Sequence, residues 1–217
     1  FDPSNGKVNM GAGATMKSLL IELSQYNRTF PTGLSGLPGI GYILTGGISP
    51  LSRSQGLAID QILAIKGVWG NGKCFNISKP TKSSSSNEHL IWRGLCGAAP
   101  FLGIVTNITL KTYPLKPITV WEATIKKEQF SDVIIQAENA TNEFSLQWIW
   151  GDQIQLYGII SNDLEDTNDA LIKLKKDFGK DSFFKASKVL GLQNMPPFLV
   201  KVSNKTKKTK IHCEVIG

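Results

Sequence analysis

The feature that most constrains the fold of this chain is a glycine-rich segment between residues 33 and 47. Its glycines recur every few positions, as Gly33, Gly36, Gly39, Gly41, Gly46 and Gly47. Glycine at this density weakens helices and strands, so it is found where the backbone needs a positive φ or approaches something closely. Prolines and apolar residues that would pack are interleaved with it, as Pro31, Pro38, Ile40, Ile43 and Leu44. We interpret the segment as an ordered loop that lies against a ligand.

A second glycine motif, Gly11-Ala12-Gly13, lies between a short predicted strand and a predicted helix. The helix begins at Ala14 or Thr15, and its apolar residues at helical spacing are Met16, Leu19, Leu20 and Leu23. A Rossmann dinucleotide site would need a third glycine, a parallel βαβ unit and an acidic residue some 20 positions further on. The motif lacks these features, so we do not assign a Rossmann site.

The pattern of the first half continues as short strands. Strands are predicted at Ile62 to Trp69 and Lys73 to Ile77, joined by the hairpin turn Gly70-Asn71-Gly72. The serine-rich stretch from Lys79 to Asn87 is interpreted as a surface loop. A short helix then begins at His89 to Arg93, and a β-rich run follows from Gly103 to Tyr113.

Pro114 and Pro117 mark the predicted domain boundary, because proline interrupts sheet pairing and stiffens linkers. We therefore divide the chain into residues 1–115 and 116–217. The second part alternates strands and helices: a strand at Thr119 to Ile125, a helix at Glu128 to Asn139, a hairpin of Phe144 to Trp150 and Ile154 to Ile160, and an amphipathic helix at Leu164 to Phe178. This order predicts a small antiparallel sheet with helices on one face, and an α+β fold class for the chain.

Composition excludes several classes of protein. Hydrophobic residues make up 41% of the 217 positions and charged residues 19%, as in ordinary globular proteins. The net charge of +7 comes partly from a lysine run at positions 201–210, which lacks the interleaved aromatics of a nucleic-acid site. Three cysteines and two histidines in scattered positions give no metal motif and no catalytic triad. No apolar run reaches the length of about 20 residues that spans a bilayer.

Residues Phe30 to Asp60 resemble the PCMH-type FAD-binding domain of the vanillyl-alcohol-oxidase and berberine-bridge-enzyme type of oxidoreductase. The resemblance continues in three further blocks in the family's order: Trp69 to Lys73, Asn87 to Gly94 and Gly103 to Thr106. Four ordered blocks are a more specific indication than any single glycine motif. The resemblance implies a partial FAD-binding domain in residues 1–115 and a partial substrate domain in residues 116–217.

The resemblance also implies which residues line the cofactor. They are Gly33, Gly39, Ile40, Gly41, Gly46, Gly47, Gly56, Asp60, Gly103, Ile104 and Val105. Of these, Ile104 and Val105 are expected to contact the cofactor through backbone atoms and to be core strand residues as well. Backbone N–H groups left open by small residues can bond the pyrophosphate and the ribityl chain.

The sequence departs from the family pattern at four positions of this segment. Ser35 stands where some members have a cysteine that bonds the flavin, so that covalent link is absent. Tyr42, Ile48 and Pro50 replace glycines and add bulk beside the expected cofactor path. The departures leave open a second hypothesis, that the chain is a cofactor-free remnant that acts as a binding or interaction module.

The resemblance implies an FAD-dependent oxidase or dehydrogenase that takes a hydride from a small organic substrate and passes electrons to oxygen or another acceptor. No catalytic residue is assigned; the substrate-side candidates are Gln147, Gln155 and Tyr157. We expect a soluble protein, with a cytoplasmic location favoured. The chain starts at Phe1 and stops within a predicted strand, so we expect it to be the central portion of a longer protein and to be inactive by itself.

Overall fold

The computed structural model describes residues 1–161, 172–176 and 183–194, together with the backbone of residues 213–216. The chain divides into two compact units, Phe1–Leu115 and Lys116–Gly217. The first unit contains, in order, β1 (Lys7–Gly11), α1 (Met16–Ser24), β2 (Arg28–Thr29), α2 (Ile40–Leu44), α3 (Ser52–Gln55), a 3₁₀ turn (Ala58–Gln61), β3 (Ile62–Trp69), β4 (Cys74–Ser78), α4 (Ser86–Leu102), β5 (Gly103–Lys111) and β6 (Tyr113–Pro114).

The main sheet of the first unit has four antiparallel strands in the order β1-β5-β3-β4. The predicted hairpin around Gly70-Asn71-Gly72 is confirmed as the β3-β4 pair. One face of the sheet carries its apolar residues into the core, where the fully buried Ile65 of β3 pairs with Ile108 of β5. Because β1 pairs with β5 in the antiparallel sense, the Gly11-Ala12-Gly13 turn does not open a parallel βαβ unit.

Helix α1 packs as the sequence predicts and begins at Met16, one residue after the later of the two predicted starts. Thr15 is its N-cap, and the Thr15 hydroxyl accepts a hydrogen bond from the backbone N–H of Ser18 at 3.2 Å. Its apolar face is buried, as Met16, Leu19, Leu20 and Leu23. The helix therefore provides a fixed element on which the glycine-rich segment can rest.

The serine-rich loop and the helix that follows it differ from their predicted extent. Helix α4 begins at Ser86 rather than His89 and ends at Leu102, so the loop is shorter and the helix longer than predicted. The physical reason is a capping box: Ser85 accepts from the backbone N–H of Glu88, and the Glu88 carboxylate accepts from the backbone N–H of Ser85 at 2.7 Å. The helix is interrupted at Cys96 and Gly97, where the backbone is not helical.

The second unit is built on one antiparallel sheet. Its elements are β7 (Pro117–Ile125), α5 (Phe130–Glu138), β8 (Phe144–Trp150), β9 (Ile154–Ser161), β10 (Phe184–Leu190) and β11 (Cys213–Ile216). The strand order is β10-β7-β9-β8-β11. Strand β10 was not predicted, whereas the strand predicted at the end of the chain is confirmed as β11. Pro117, predicted to interrupt pairing, is the first residue of β7 and pairs with Leu190. Proline is tolerated there because a first residue need not donate to the ladder.

The helices of the second unit cover one face of its sheet. Val133 and Ala137 of α5 belong to the same buried cluster as Trp121, Leu146 and Leu156 of the sheet. Leu174, in the helical residues 172–176, joins this cluster, while the rest of the predicted helix from Leu164 to Phe178 lies outside the described residues. The predicted α+β class, with an antiparallel sheet and helices on one face, is confirmed.

Candidate cofactor-binding site

The glycine-rich segment is anchored on the first turn of α1. The backbone N–H of Lys17 donates to the carbonyl of Gly36 at 2.9 Å, and the N–H of Met16 donates to the carbonyl of Pro38 at 2.8 Å. A Cβ added to Gly36 would lie 2.8 Å from the Cβ of Lys17, so only glycine permits this approach. The helix N-terminus thereby fixes the start of the segment.

The segment turns sharply at Gly46 and Gly47. Their φ angles are 127° and 73°, a region that L-residues with side chains rarely adopt. The carbonyl of Gly46 accepts from the N–H of Ile59 at 2.9 Å, and the carbonyl of Gly47 accepts from the N–H of Ala58 at 3.0 Å. These bonds join the turn to the 3₁₀ turn before β3, so the loop is ordered at both ends.

The glycines predicted to line a cofactor form two groups. An added Cβ at Gly33, Gly39 or Gly47 would meet protein atoms: the Tyr42 hydroxyl at 2.6 Å, the Ala14 carbonyl at 3.1 Å and the Ala58 Cβ at 2.5 Å, respectively. An added Cβ at Gly41 or Gly46 would meet no heavy atom within 4 Å. Packing against protein atoms is sufficient to explain why the residues of the first group are glycines. The second leaves bare backbone next to open space, as a bound ligand requires.

Three other predicted residues of this segment have roles within the protein. The side chain of Ile40 is buried in the core, so it could reach a cofactor only through its backbone. Gly56 has a φ of 80°, and the carboxylate of Asp60 accepts from the backbone N–H of Leu57 at 3.2 Å. Lys79 also donates to the carbonyl of Asp60 at 2.8 Å. Gly56 and Asp60 thus form the turn that leads into β3.

The start of β5 combines a close backbone contact with an exposed side chain. A Cβ on Gly103 would clash with the carbonyl of Val68, so glycine is required where β5 meets β3. The expectation that Ile104 is a core residue is wrong, because its side chain is 73% exposed; Val105 is half-buried. The preceding Phe101 is 90% exposed. A register shift between Lys66 and Gly67 of β3 changes which side chains of β5 face the core, so that Val105 and not Ile104 lies on the partly buried side.

Two departures from the family pattern also have defined contacts. Ser35 is exposed, and its hydroxyl accepts from the N–H of Leu37 at 3.3 Å. The Tyr42 hydroxyl donates to the carbonyl of Ile48, and burial raises the pKa of Tyr42 above its usual range. The side chain of Ile48 itself is 48% exposed. Tyr42 is therefore part of the loop's own structure.

The predicted substrate-side residues lie together on the second sheet. Gln147 of β8 stands directly opposite Tyr157 of β9, and Gln155 stands opposite Ile149, two positions along the same face. This face is the reverse of the one that packs against α5. Gln147 and Tyr157 are buried, whereas Gln155 is exposed.

Sequence reasoning missed a fourth residue of this row. Glu122 of β7 stands opposite Tyr157 in the β7-β9 register, so a carboxylate, a phenol and an amide follow one another across three adjacent strands. The prediction paired β8 with β9 only, and Glu122 could be added only once the place of β7 in the sheet was known. The row offers hydrogen-bond donors and acceptors on one surface.

Metal-binding clusters and membrane-spanning helices are two further features that bear on function. Within the part of the chain that the structure describes, no cluster of three or more histidine, cysteine, aspartate or glutamate residues could hold a metal ion. Over the same residues, no helix has the length and apolar character needed to cross a membrane.

Known proteins resemble this chain over most of its length. No protein-family model matches it. The FAD-linked oxidoreductase janO of Penicillium janthinellum is 31% identical over 140 residues, which cover 62% of this chain and 30% of the relative. Berberine bridge enzyme-like 24 of Arabidopsis thaliana is 34% identical over 121 residues, covering 54% of this chain and 21% of the relative. The chain thus matches less than a third of the length of these relatives.

Solved structures extend the likeness into the second unit. BBE-like 1 of Physcomitrella patens superposes with a TM-score of 0.77 at 20% identity, covering 96% of this chain and 48% of that one. A chitooligosaccharide oxidase gives a TM-score of 0.75 at 22% identity, covering 87% and 41%. A vanillyl-alcohol-oxidase-type flavoprotein of Myceliophthora thermophila gives 0.67 at 17% identity. The chain is therefore a homologue of the FAD-linked oxidoreductases, which include berberine-bridge-enzyme-like proteins, and it has the vanillyl-alcohol-oxidase type of fold.

Proposed function

We propose that this chain is part of an FAD-dependent oxidoreductase and that its first unit binds the cofactor. The observation that carries the proposal is the bare backbone of Gly41 and Gly46 in a loop that is otherwise tightly ordered. A flexible linker would not need the bonds that fix both of its ends. In this ordered segment, the open Cβ directions of Gly41 and Gly46 leave room for a ligand beside the backbone.

The residues of the first unit fit an extended, anionic cofactor. The backbone N–H of Gly41 would donate to a phosphate or ribityl oxygen, and the open Cβ directions of Gly41 and Gly46 leave room for the cofactor beside the backbone. The backbone of Gly103 to Val105 and the exposed side chain of Ile104 would line the flat ring system. When bound, FAD supplies the redox chemistry by accepting a hydride from the substrate. The protein's part is to bind and orient the cofactor.

The second unit would contact the substrate through the row of polar side chains on its sheet. The Gln147 amide can donate and accept, and the Tyr157 hydroxyl can do both, so the pair suits a small organic molecule with hydroxyl or carbonyl groups. Glu122, beside Tyr157, would accept from a substrate hydroxyl or take up a proton. Gln155 extends the row. We assign no catalytic base.

The remaining parts of the proposal concern the whole protein. Residues 1–115 would form part of the FAD-binding domain and residues 116–217 part of the substrate domain. The electron acceptor would be oxygen or another small acceptor, and the cytoplasm is our proposed location. The names of the relatives, FAD-linked oxidoreductases among them, do not favour the cofactor-free alternative.

The direct test is the absorption spectrum of the purified full-length protein. We expect flavin bands, bleaching of those bands by the substrate under anaerobic conditions, and their return when an acceptor is added. A colourless protein that does not take up added FAD would contradict the proposal. That outcome would support the alternative of a cofactor-free binding module.

A further inference from the structure

Tyr42 occupies the space that a side chain at position 33 would fill. The hydroxyl oxygen of Tyr42 lies 2.6 Å, and its Cζ 2.9 Å, from the position of a Cβ built on Gly33. Gly33 has no positive φ, so its backbone would accept alanine were the tyrosine absent. The two residues are therefore sterically coupled: the tyrosine ring requires a glycine opposite it.

The hydroxyl of Tyr42 also closes the loop. It donates to the carbonyl of Ile48, one residue beyond the Gly46-Gly47 turn. The backbone carbonyl of Tyr42 contributes as well, because it accepts from the Thr45 hydroxyl at 3.4 Å and lies 3.3 Å from the Cβ position of Gly47. The side chain of Tyr42 thus reaches both the start of the glycine-rich segment at Gly33 and Ile48, the residue after its turn.

The side chain of Tyr42 faces protein atoms, whereas the bare backbone of the segment faces open space. Tyr42 is directed at protein atoms of Gly33 and Ile48, whereas its neighbour Gly41, and Gly46 four residues on, have open Cβ directions. A tyrosine hydroxyl is protonated at physiological pH and can donate, and burial raises the pKa of the Tyr42 phenol further. Holding a glycine-rich loop in one conformation reduces the entropy that ligand binding would otherwise cost.

We propose that Tyr42 is a positioning residue that, paired with Gly33, holds the glycine-rich loop in its cofactor-binding conformation. The proposal rests on the proposed function, because it concerns the affinity of that same site for FAD. Tyr42 acts through the loop backbone. The bulky residue in place of a family glycine thus stabilises the site.

The test compares FAD affinity and thermal stability in four variants of the full-length protein. Tyr42→Phe keeps the ring and removes the hydrogen bond, so FAD should bind about 5- to 10-fold more weakly, the effect of losing one hydrogen bond of ordinary strength. Gly33→Ala should weaken binding at least as much, since its Cβ displaces the hydroxyl. The double variant Gly33→Ala/Tyr42→Gly is compared with Tyr42→Gly alone. Its FAD affinity should be less than about twofold lower, because the tyrosine oxygen with which the alanine Cβ would collide is absent.

A control separates positioning from general stabilisation. Thr112→Val removes another buried hydroxyl of the first unit, which donates to the Gly6 carbonyl at 2.6 Å outside the glycine-rich segment. It should lower the melting temperature and leave FAD affinity unchanged. The positioning role is overturned if Tyr42→Phe binds FAD within twofold of the wild type, or if Gly33→Ala weakens binding equally with and without Tyr42. A wild-type protein that binds no FAD would instead overturn the proposed function, and this role with it.

Discussion

The two candidate sites of this molecule differ in which atoms form them. In the first unit the site consists of backbone left bare by Gly41 and Gly46, whereas in the second unit it consists of side chains, Gln147, Tyr157 and Glu122, arranged across three strands. A backbone site depends on loop conformation and tolerates no bulk. A side-chain site depends on sheet register, and its residues can be exchanged without altering the chain's path. The difference predicts different consequences of mutation.

The largest effect is expected at Gly46. Gly46→Val combines a side chain in the proposed cofactor path with a φ of 127°, and should abolish FAD retention. The matched control is Gly72→Val in the β3-β4 turn, where φ is 82° and the Cβ direction is equally open. Both variants carry backbone strain of about 1–3 kcal/mol. Circular dichroism and flavin absorbance should show two folded proteins, of which only Gly72→Val is yellow; FAD in both would place the cofactor elsewhere.

A smaller but cleaner effect is expected at Gly41. This residue lies in helix α2 with no positive φ and an open Cβ direction, so Gly41→Ala should not strain the protein. Alanine should even stabilise the helix by about 0.5–1 kcal/mol. We expect FAD affinity to fall by about 10- to 100-fold, the equivalent of about 1.4–2.8 kcal/mol, while the melting temperature of the apoprotein holds or rises.

The control for Gly41→Ala is Gly13→Ala, which also has an open Cβ direction and no positive φ but lies in the turn before α1. Calorimetric titration of FAD into both apoproteins gives the comparison. Equal affinities would mean that Gly41 does not face the cofactor.

The side-chain surface should respond in substrate kinetics and not in cofactor binding. Gln147→Met removes the amide at similar volume, and we expect KM to rise by about 5- to 10-fold, as for the loss of one hydrogen bond, with an unchanged flavin spectrum. Gln155→Met, at the exposed position of the same face, should have an effect of less than about twofold. Steady-state kinetics measures KM for both variants. A larger rise in KM for Gln155→Met than for Gln147→Met would mean that the substrate binds nearer to Gln155.

The smallest effect is expected at Ser35. The residue is exposed, and its hydroxyl accepts a local hydrogen bond from the N–H of Leu37, so Ser35→Ala should leave both the FAD affinity and the mode of flavin attachment unchanged. Acid precipitation followed by absorbance of the supernatant measures free flavin. A variant that releases flavin when the wild type retains it would give Ser35 a role in attachment that its contacts do not indicate.

The sequence alone determined the elements that depend on interactions between residues close together in the chain. Helix α1 follows from Thr15 and the spacing of its buried leucines, and the β3-β4 hairpin follows from Gly70-Asn71-Gly72, because capping and turn preferences act over a few residues. The glycine-rich segment could be located for the same reason. One local pattern was misjudged: the start of α4 was hidden in a serine run whose capping box was not recognised.

The tertiary structure alone decided which of these residues are available to a ligand. The sequence gives no reason to distinguish Gly41 from Gly47. In the structure, a side chain at Gly47 would collide with Ala58, whereas a side chain at Gly41 would meet no protein atom. Ile104 was expected to be a core residue, but the register shift between Lys66 and Gly67 of the neighbouring strand leaves its side chain exposed. Glu122 joined Tyr157 only through the register of β7 with β9. Contacts between distant parts of the chain depend on how its elements pack, and residue spacing along the sequence carries no direct record of that packing.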